Sequence, residues 1–330
     1  MKQRLTYIDA LRGFAIFLVA LGHVTDLSGY TDSFLCGFIY SFHMPLFMAI
    51  AGFVCAYSST DTLCVEGKGG FWQFVWKKFR FIMIPYFVWA LVVQPFFFNS
   101  WTGDCNWMEA FKGACITNDS FWFLPCLFLL QLCYAVYKRL RESIRAKHWA
   151  LDLAIVAAIG VAVAALYYFT KVDFFRSVIS YYLPFWVGIF MGQYDRFDKF
   201  ISENKWIYAI AVIALCLTGG LYNSFEGIAE KGIRLACGLI SIPVWFGFFK
   251  GLQMPGWLSN ALCYTGRNTL VIYVMQMCLI PGLPQIPGLN PFFQIFVFTA
   301  ISVLMIIVIL ATAKVLEQNT FLRQTMLGRK

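Results

Sequence analysis

Residues 8–26 read IDALRGFAIFLVALGHVTD, and four side chains in this apolar run could do chemistry: Asp9, Arg12, His23 and Asp26. A charged group at bilayer depth costs about 2.5–3.5 kcal/mol on insertion scales. Such residues therefore face protein or water, and function is the default reading. Arg12 and His23 are eleven residues apart, close to three helical turns, so they point the same way at an axial separation of about 16 Å. Asp9 stands three residues before Arg12 and Asp26 three after His23, a spacing at which side chains meet on a helix surface. All four fall within a sector of about 100°. Histidine is the side chain best suited to move protons near neutrality. The line therefore predicts acid–base chemistry, with His23 as general base and Asp26 fixing its tautomer. The structural alternative is a terminal Asp9–Arg12 ion pair and an interhelical hydrogen bond from His23. Four aligned residues favour function over it.

The element that carries this line must be a membrane helix. The chain of 330 residues is 60% hydrophobic, 19% aromatic and only 13% charged, with a mean hydropathy of +0.68. A soluble domain carries about twice that charged fraction. The expected fold is all-α, a polytopic membrane helix bundle. About ten apolar runs reach spanning length, near 8–27, 36–57, 80–98, 121–138, 150–169, 177–195, 206–222, 233–250, 261–281 and 292–314, with Pro281, Pro284 and Pro287 closing the ninth. Lys2 and Arg4 precede the first run as in a signal peptide. No small-residue cleavage site follows, and Asp9 and Arg12 interrupt the run, so it is read as the first membrane helix.

Charge orients the bundle. With a cytoplasmic N-terminus, most of the 26 Lys and Arg residues fall on the cytoplasmic side, including Lys138, Arg139, Arg141, Arg145 and Lys147. Both termini are then cytoplasmic, and the basic surplus calls for no nucleic acid. Residues 1–330 are expected to form a single domain with no appended soluble domain. Most of the 11 cysteines lie in apolar runs as small hydrophobes. Cys105 and Cys115 share a predicted outer loop and either form a disulfide or remain two thiols. No C-x-x-C pair or His/Cys cluster has zinc spacing, which predicts no metal.

The string DALRGFAIFLVALGH resembles the opening helix of the integral-membrane acyltransferase-3 family, with its basic residue, ten residues and His. FHMPLFMAIAGF (42–53) is similar to the family's second helix, with Ala51 in place of the usual Ser. KKFRFIMIPYFVW (77–89) resembles its Arg-x-x-Arg segment, with Lys77 and Arg80 at the two basic positions. WFLPCLF (122–128), YLPFWVGIFMG (182–192) and GRNTLVIYVMQM (266–277) follow in the family's order, with Gln276 where His is frequent. The resemblance runs from residue 4 to about 315.

That resemblance implies transfer of an acyl group, usually acetyl from acetyl-CoA, to sugars of cell-envelope glycans or related acceptors, including lipid-linked ones. It also implies a multi-pass protein of a bacterial inner membrane, with membrane lipids, the acyl donor and the glycan as its partners. Lys77 and Arg80 become candidate ligands of acyl-CoA phosphates, Lys as a point charge and Arg bidentately. Arg12 either joins them or pairs with Asp9. Acyl-CoA would dock on the cytoplasmic side and reach along the first helix to His23, where the acceptor hydroxyl arrives from outside. Arg12, His23 and Asp26 form the expected catalytic line, and His43, Trp122, Asn268 and Gln276 are candidate substrate-binding positions. For His43 helix packing, and for Trp122 a place in an interfacial aromatic belt, are the alternatives. Two further readings stay open: a multi-pass transporter of a small or sugar-like solute, and an inactive scaffold in glycan assembly.

Overall fold

The computed structural model describes residues 5–58, 70–97, 107–114, 121–144, 148–194, 205–220, 227–280 and 288–329. All regular structure among them is helical. In chain order the helices are α1 (Thr6–Leu27), α2 (Phe34–Tyr57), α3 (Gly70–Phe97), α4 (Trp107–Lys112), α5 (Phe123–Ser143), α6 (Trp149–Thr170) and α7 (Asp173–Gln193). There follow α8 (Lys205–Gly220), α9 (Gly227–Gly251), α10 (Gly256–Arg267), α11 (Thr269–Leu279), α12 (Pro291–Leu316) and α13 (Thr320–Thr325). Among the described residues, eight helices are long and apolar enough to cross a bilayer: α1, α2, α3, α5, α6, α7, α9 and α12. They carry their own backbone hydrogen bonds, as a spanning element must. Phe169, Phe292 and Phe296 stay 80%, 86% and 70% exposed, as expected for lipid-facing surface.

The seventh and ninth expected runs contain shorter apolar helices, Tyr208–Leu217 and Thr269–Leu279. The ninth run is broken. Asn268 leaves helical geometry at φ −106° and ψ 16°, its N–H bonds to the Thr265 carbonyl at 3.0 Å, and its Nδ2 donates to the Tyr264 carbonyl at 2.7 Å. The side chain thus satisfies a carbonyl that the interrupted helix would otherwise strand. The third run starts earlier than expected, at Gly70, and widens into π-helical turns at Phe79–Met83 and Trp89–Val93.

The described residues fall into two compact units. One comprises Ala51–Gln193 and Glu317–Lys330, the other Gln3–Ile50 and Tyr194–Leu316. The first is pinned by an ion pair between the half-buried Arg141 of α5 and the buried Asp152 of α6, with Tyr137 Oη donating to the same carboxylate at 3.1 Å. Trp89 Nε1 donates to the Met326 carbonyl at 2.9 Å. The second unit is built around α1, most of whose length is buried. Its tightest crossing is with α10: a Cβ on Gly13 would collide with the Leu262 carbonyl, and one on Gly266 with the Asp9 carbonyl. Small residues let two backbones touch where lipid provides no hydrophobic drive. Phe14 then packs on Trp245 of α9, ring centroids 4.6 Å apart.

Candidate active site

The α1–α10 crossing sets the N-terminal end of the polar line. Asp9, 6% exposed, is brought to Arg267, Oδ2 to Nε 3.6 Å. Arg12 donates from Nη2 to Thr269 Oγ1 at 3.0 Å. The line expected on one helix is thus met by a second set of polar groups around the Asn268 break. Arg267 and Thr269 were not among the candidate residues, because nothing local links them to α1, more than 250 positions away.

At the other end the geometry differs from the expected direct His23–Asp26 contact. Tyr40 of α2 stands between them, its Oη 3.3 Å from His23 Nδ1 and 3.3 Å from Asp26 Oδ2. The single proton of the Tyr40 hydroxyl goes to Asp26, so the hydroxyl accepts from His23. Nδ1 must then carry the ring proton, and Nε2 is left with its lone pair. Asp26 also accepts from Thr31 Oγ1 at 2.9 Å. His23 and Asp26 are half-buried among otherwise buried α1 positions. The arrangement is an imidazole, a hydroxyl spacer and a carboxylate, with Nε2 the ring nitrogen that does not meet Tyr40.

Two further groups surround this end. His43 is buried, and its Nδ1 donates to the Ile39 carbonyl at 2.8 Å. Its ring centroid lies 5.1 Å from that of Tyr40. Within this helix Pro45 has no N–H to offer, and Ser41 Oγ donates to the Phe38 carbonyl at 2.7 Å. Arg234, half-buried on α9, lies close enough for its charge to act on both Tyr40 and His43. Tyr40 and Arg234, like Arg267 and Thr269, are residues that sequence reasoning missed. For Arg234 a signal existed: it is a cation near the predicted outer end of an apolar run, where positive charge is scarce.

Asn268 is 4% exposed and holds the helix break; Gln276 is fully buried on α11. In the other unit, Lys77 and Arg80 are half-buried, Lys77 near the end of the regular first part of α3 and Arg80 within its first π-helical turn. Such turns recur at functional sites. Trp122, half-buried, stacks on Tyr181 of α7 with centroids 5.1 Å apart and planes 20° from parallel. Cys105 and Cys115 lie outside the described residues.

A family model described as an acyltransferase domain matches residues 5–314. Nodulation protein NolL of Sinorhizobium fredii is 30% identical over 152 residues, 41% of this chain and 38% of its own length. Nodulation protein NolL of Mesorhizobium japonicum is 23% identical over 303 residues, 81% of this chain and 74% of its own. The chain thus matches well under half the length of the first relative and about three quarters of the second. No solved structure matches. The family model begins within a residue of α1 and ends within α12, taking in the His23 relay and every motif that carried the resemblance; the chain is a multi-pass membrane protein that belongs to the acyltransferase-3 family.

Proposed function

We propose that this protein transfers an acyl group, acetyl in the first instance, from cytoplasmic acyl-CoA to a hydroxyl of an extracytoplasmic or lipid-linked glycan. The observation that carries this reading is the His23–Tyr40–Asp26 relay, which leaves Nε2 of His23 as a proton acceptor inside a membrane helix. In the reaction, Nε2 takes the proton of the acceptor hydroxyl as its oxygen attacks the thioester carbonyl. The tetrahedral intermediate collapses, the C–S bond breaks, and the CoA thiolate leaves and takes the proton back from the imidazolium. Tyr40 and Asp26 hold the ring through both transfers and stabilise its positive charge, the role an orienting carboxylate plays in acyl-transfer triads. Lys77 and Arg80 are assigned to CoA phosphates on their types and spacing, and the Trp122–Tyr181 stack to the face of a sugar ring. His43 supports Tyr40. Residues 1–330 act as one acyltransferase domain, a reading supported by a family match that runs through both compact units. The membrane is assigned as a bacterial inner membrane, with both termini cytoplasmic on the charge distribution.

The test is turnover of labelled acetyl-CoA by purified protein in lipid with an envelope-glycan extract, wild type against His23→Ala. CoA release and a labelled glycan with wild type, and neither with the variant, support the reading. Equal activity of the two proteins removes His23 as base. Solute uptake into vesicles without acyl-CoA, together with no CoA release, replaces acyl transfer with transport.

A further inference from the structure

Gln276 is 0% exposed, and neither Nε2 nor Oε1 of its carboxamide has a hydrogen-bond partner. A buried amide left in this state bears its full desolvation penalty. Its position relative to α1 is bracketed by two contacts, one at the start of α11 and one on the chain beyond it. Arg12 holds Thr269, the first residue of α11, at 3.0 Å. Beyond the far end of α11, the Leu289 N–H donates to the hydroxyl of Tyr30, just past the end of α1, at 2.7 Å. The helix α11 therefore runs alongside α1 in the same direction. Gln276 is seven residues past Thr269, two turns on, so it shares the face that meets α1 and lies about 10 Å along the axis. His23 lies about 16 Å beyond Arg12. The unpartnered carboxamide thus falls about 6 Å short of the level of His23.

A pantetheine arm has matching chemistry. Its chain from phosphate oxygen to sulfur has the length of about four extended residues, or roughly 14 Å. Counting from the sulfur, the carbonyl of the nearer amide stands at about 5 Å and the N–H of the farther amide at about 8 Å. With the thioester at His23, a carboxamide at about 6 Å lies between them. We propose that Gln276 is a donor-recognition residue: Nε2 donates to the nearer amide carbonyl and Oε1 accepts from the farther N–H, gripping the β-alanyl unit of the arm. This assignment rests on the acyl-CoA reading given above. The position asks for a group that both donates and accepts without titrating, which a carboxamide does.

The experiment uses the full-length protein in lipid and the variant Gln276→Leu, with three readouts: KM for acetyl-CoA, inhibition by adenosine 3′,5′-bisphosphate, which lacks the arm, and thermal unfolding without ligand. The expected result is a rise in KM of about 10–100-fold, from two lost hydrogen bonds. Inhibition by the bisphosphate stays unchanged and the melting temperature is equal or higher, because an unpaired buried amide has been replaced by an apolar group. An unchanged KM, a parallel weakening of bisphosphate inhibition, or a lowered melting temperature overturns the assignment. Absence of any acetyl-CoA turnover by wild type overturns the acyl-CoA reading itself and is seen before any variant is compared.

Discussion

Replacing Tyr40 by Phe removes one oxygen atom and, with it, both contacts that orient the candidate base. The two hydrogen bonds it makes are each 3.3 Å long, at the weak end of the usual range. At about 0.5–1.5 kcal/mol apiece, their loss sums to roughly 1–3 kcal/mol, or about a 5- to 150-fold fall in kcat if the whole sum is felt in the transition state. The His23 ring stays, so the effect is expected to be smaller than that of His23→Ala, which forfeits the 10²–10⁴-fold typical of a general base. Tyr40 touches neither Arg12 nor α11 in the described contacts, so KM for acetyl-CoA is expected to hold within about twofold. The assay is steady-state CoA release by Tyr40→Phe, His23→Ala and the double variant. Residues that act as one unit are non-additive, so the double variant is expected to match His23→Ala. A Tyr40→Phe protein as active as wild type, or a double variant whose losses multiply, would refute the relay.

Two further outcomes test the frame around the site. Gly266→Ala drives a Cβ into the Asp9 carbonyl and is expected to destabilise the protein by about 1–3 kcal/mol as overpacking does, read as a lower melting temperature in detergent and a weakened response to Arg12→Ala. Asp152→Asn strands the Arg141 guanidinium beside a neutral amide at a position only 3% exposed; breaking such a pair costs about 3–5 kcal/mol. The expected result is a lower unfolding temperature with the turnover of the surviving folded protein unchanged.

Much of this was legible in the sequence because the signal was local. The polar line on α1 needs only the helical period, and Asp9 is buried and Arg12, His23 and Asp26 half-buried along it. The long apolar runs likewise announce their own helices. The relay was not legible, because Tyr40 reaches His23 from another helix and a tyrosine in an aromatic-rich run carries no sign of its partner. The Asp9–Arg267 contact was not legible either, because two glycines meeting at a helix crossing bring Arg267 to Asp9 from far along the chain. The break at Asn268 was hidden for a different reason. Hydropathy averages over a window, and one polar residue whose amide recaps the chain barely lowers that average. The π-helical turn around Arg80 adds a residue to a turn without any change of composition, so a period-based reading passes over it.

The separations in sequence within the second unit have a consequence for how the protein is made. His23, Asp26 and Tyr40 lie within 17 positions of one another, on a hairpin of the first two helices. Arg12 waits for Thr269, 257 positions later. At about 5–20 residues per second, the ribosome delivers the second half of the site roughly 10–50 s after the first. On the proposed reading, a nascent chain holds its proton acceptor assembled in the membrane well before it has any means of gripping a donor. The proposed chemistry would then come late, when α11 docks, and a chain cut short anywhere before that helix would carry an oriented histidine without the contact between Arg12 and Thr269.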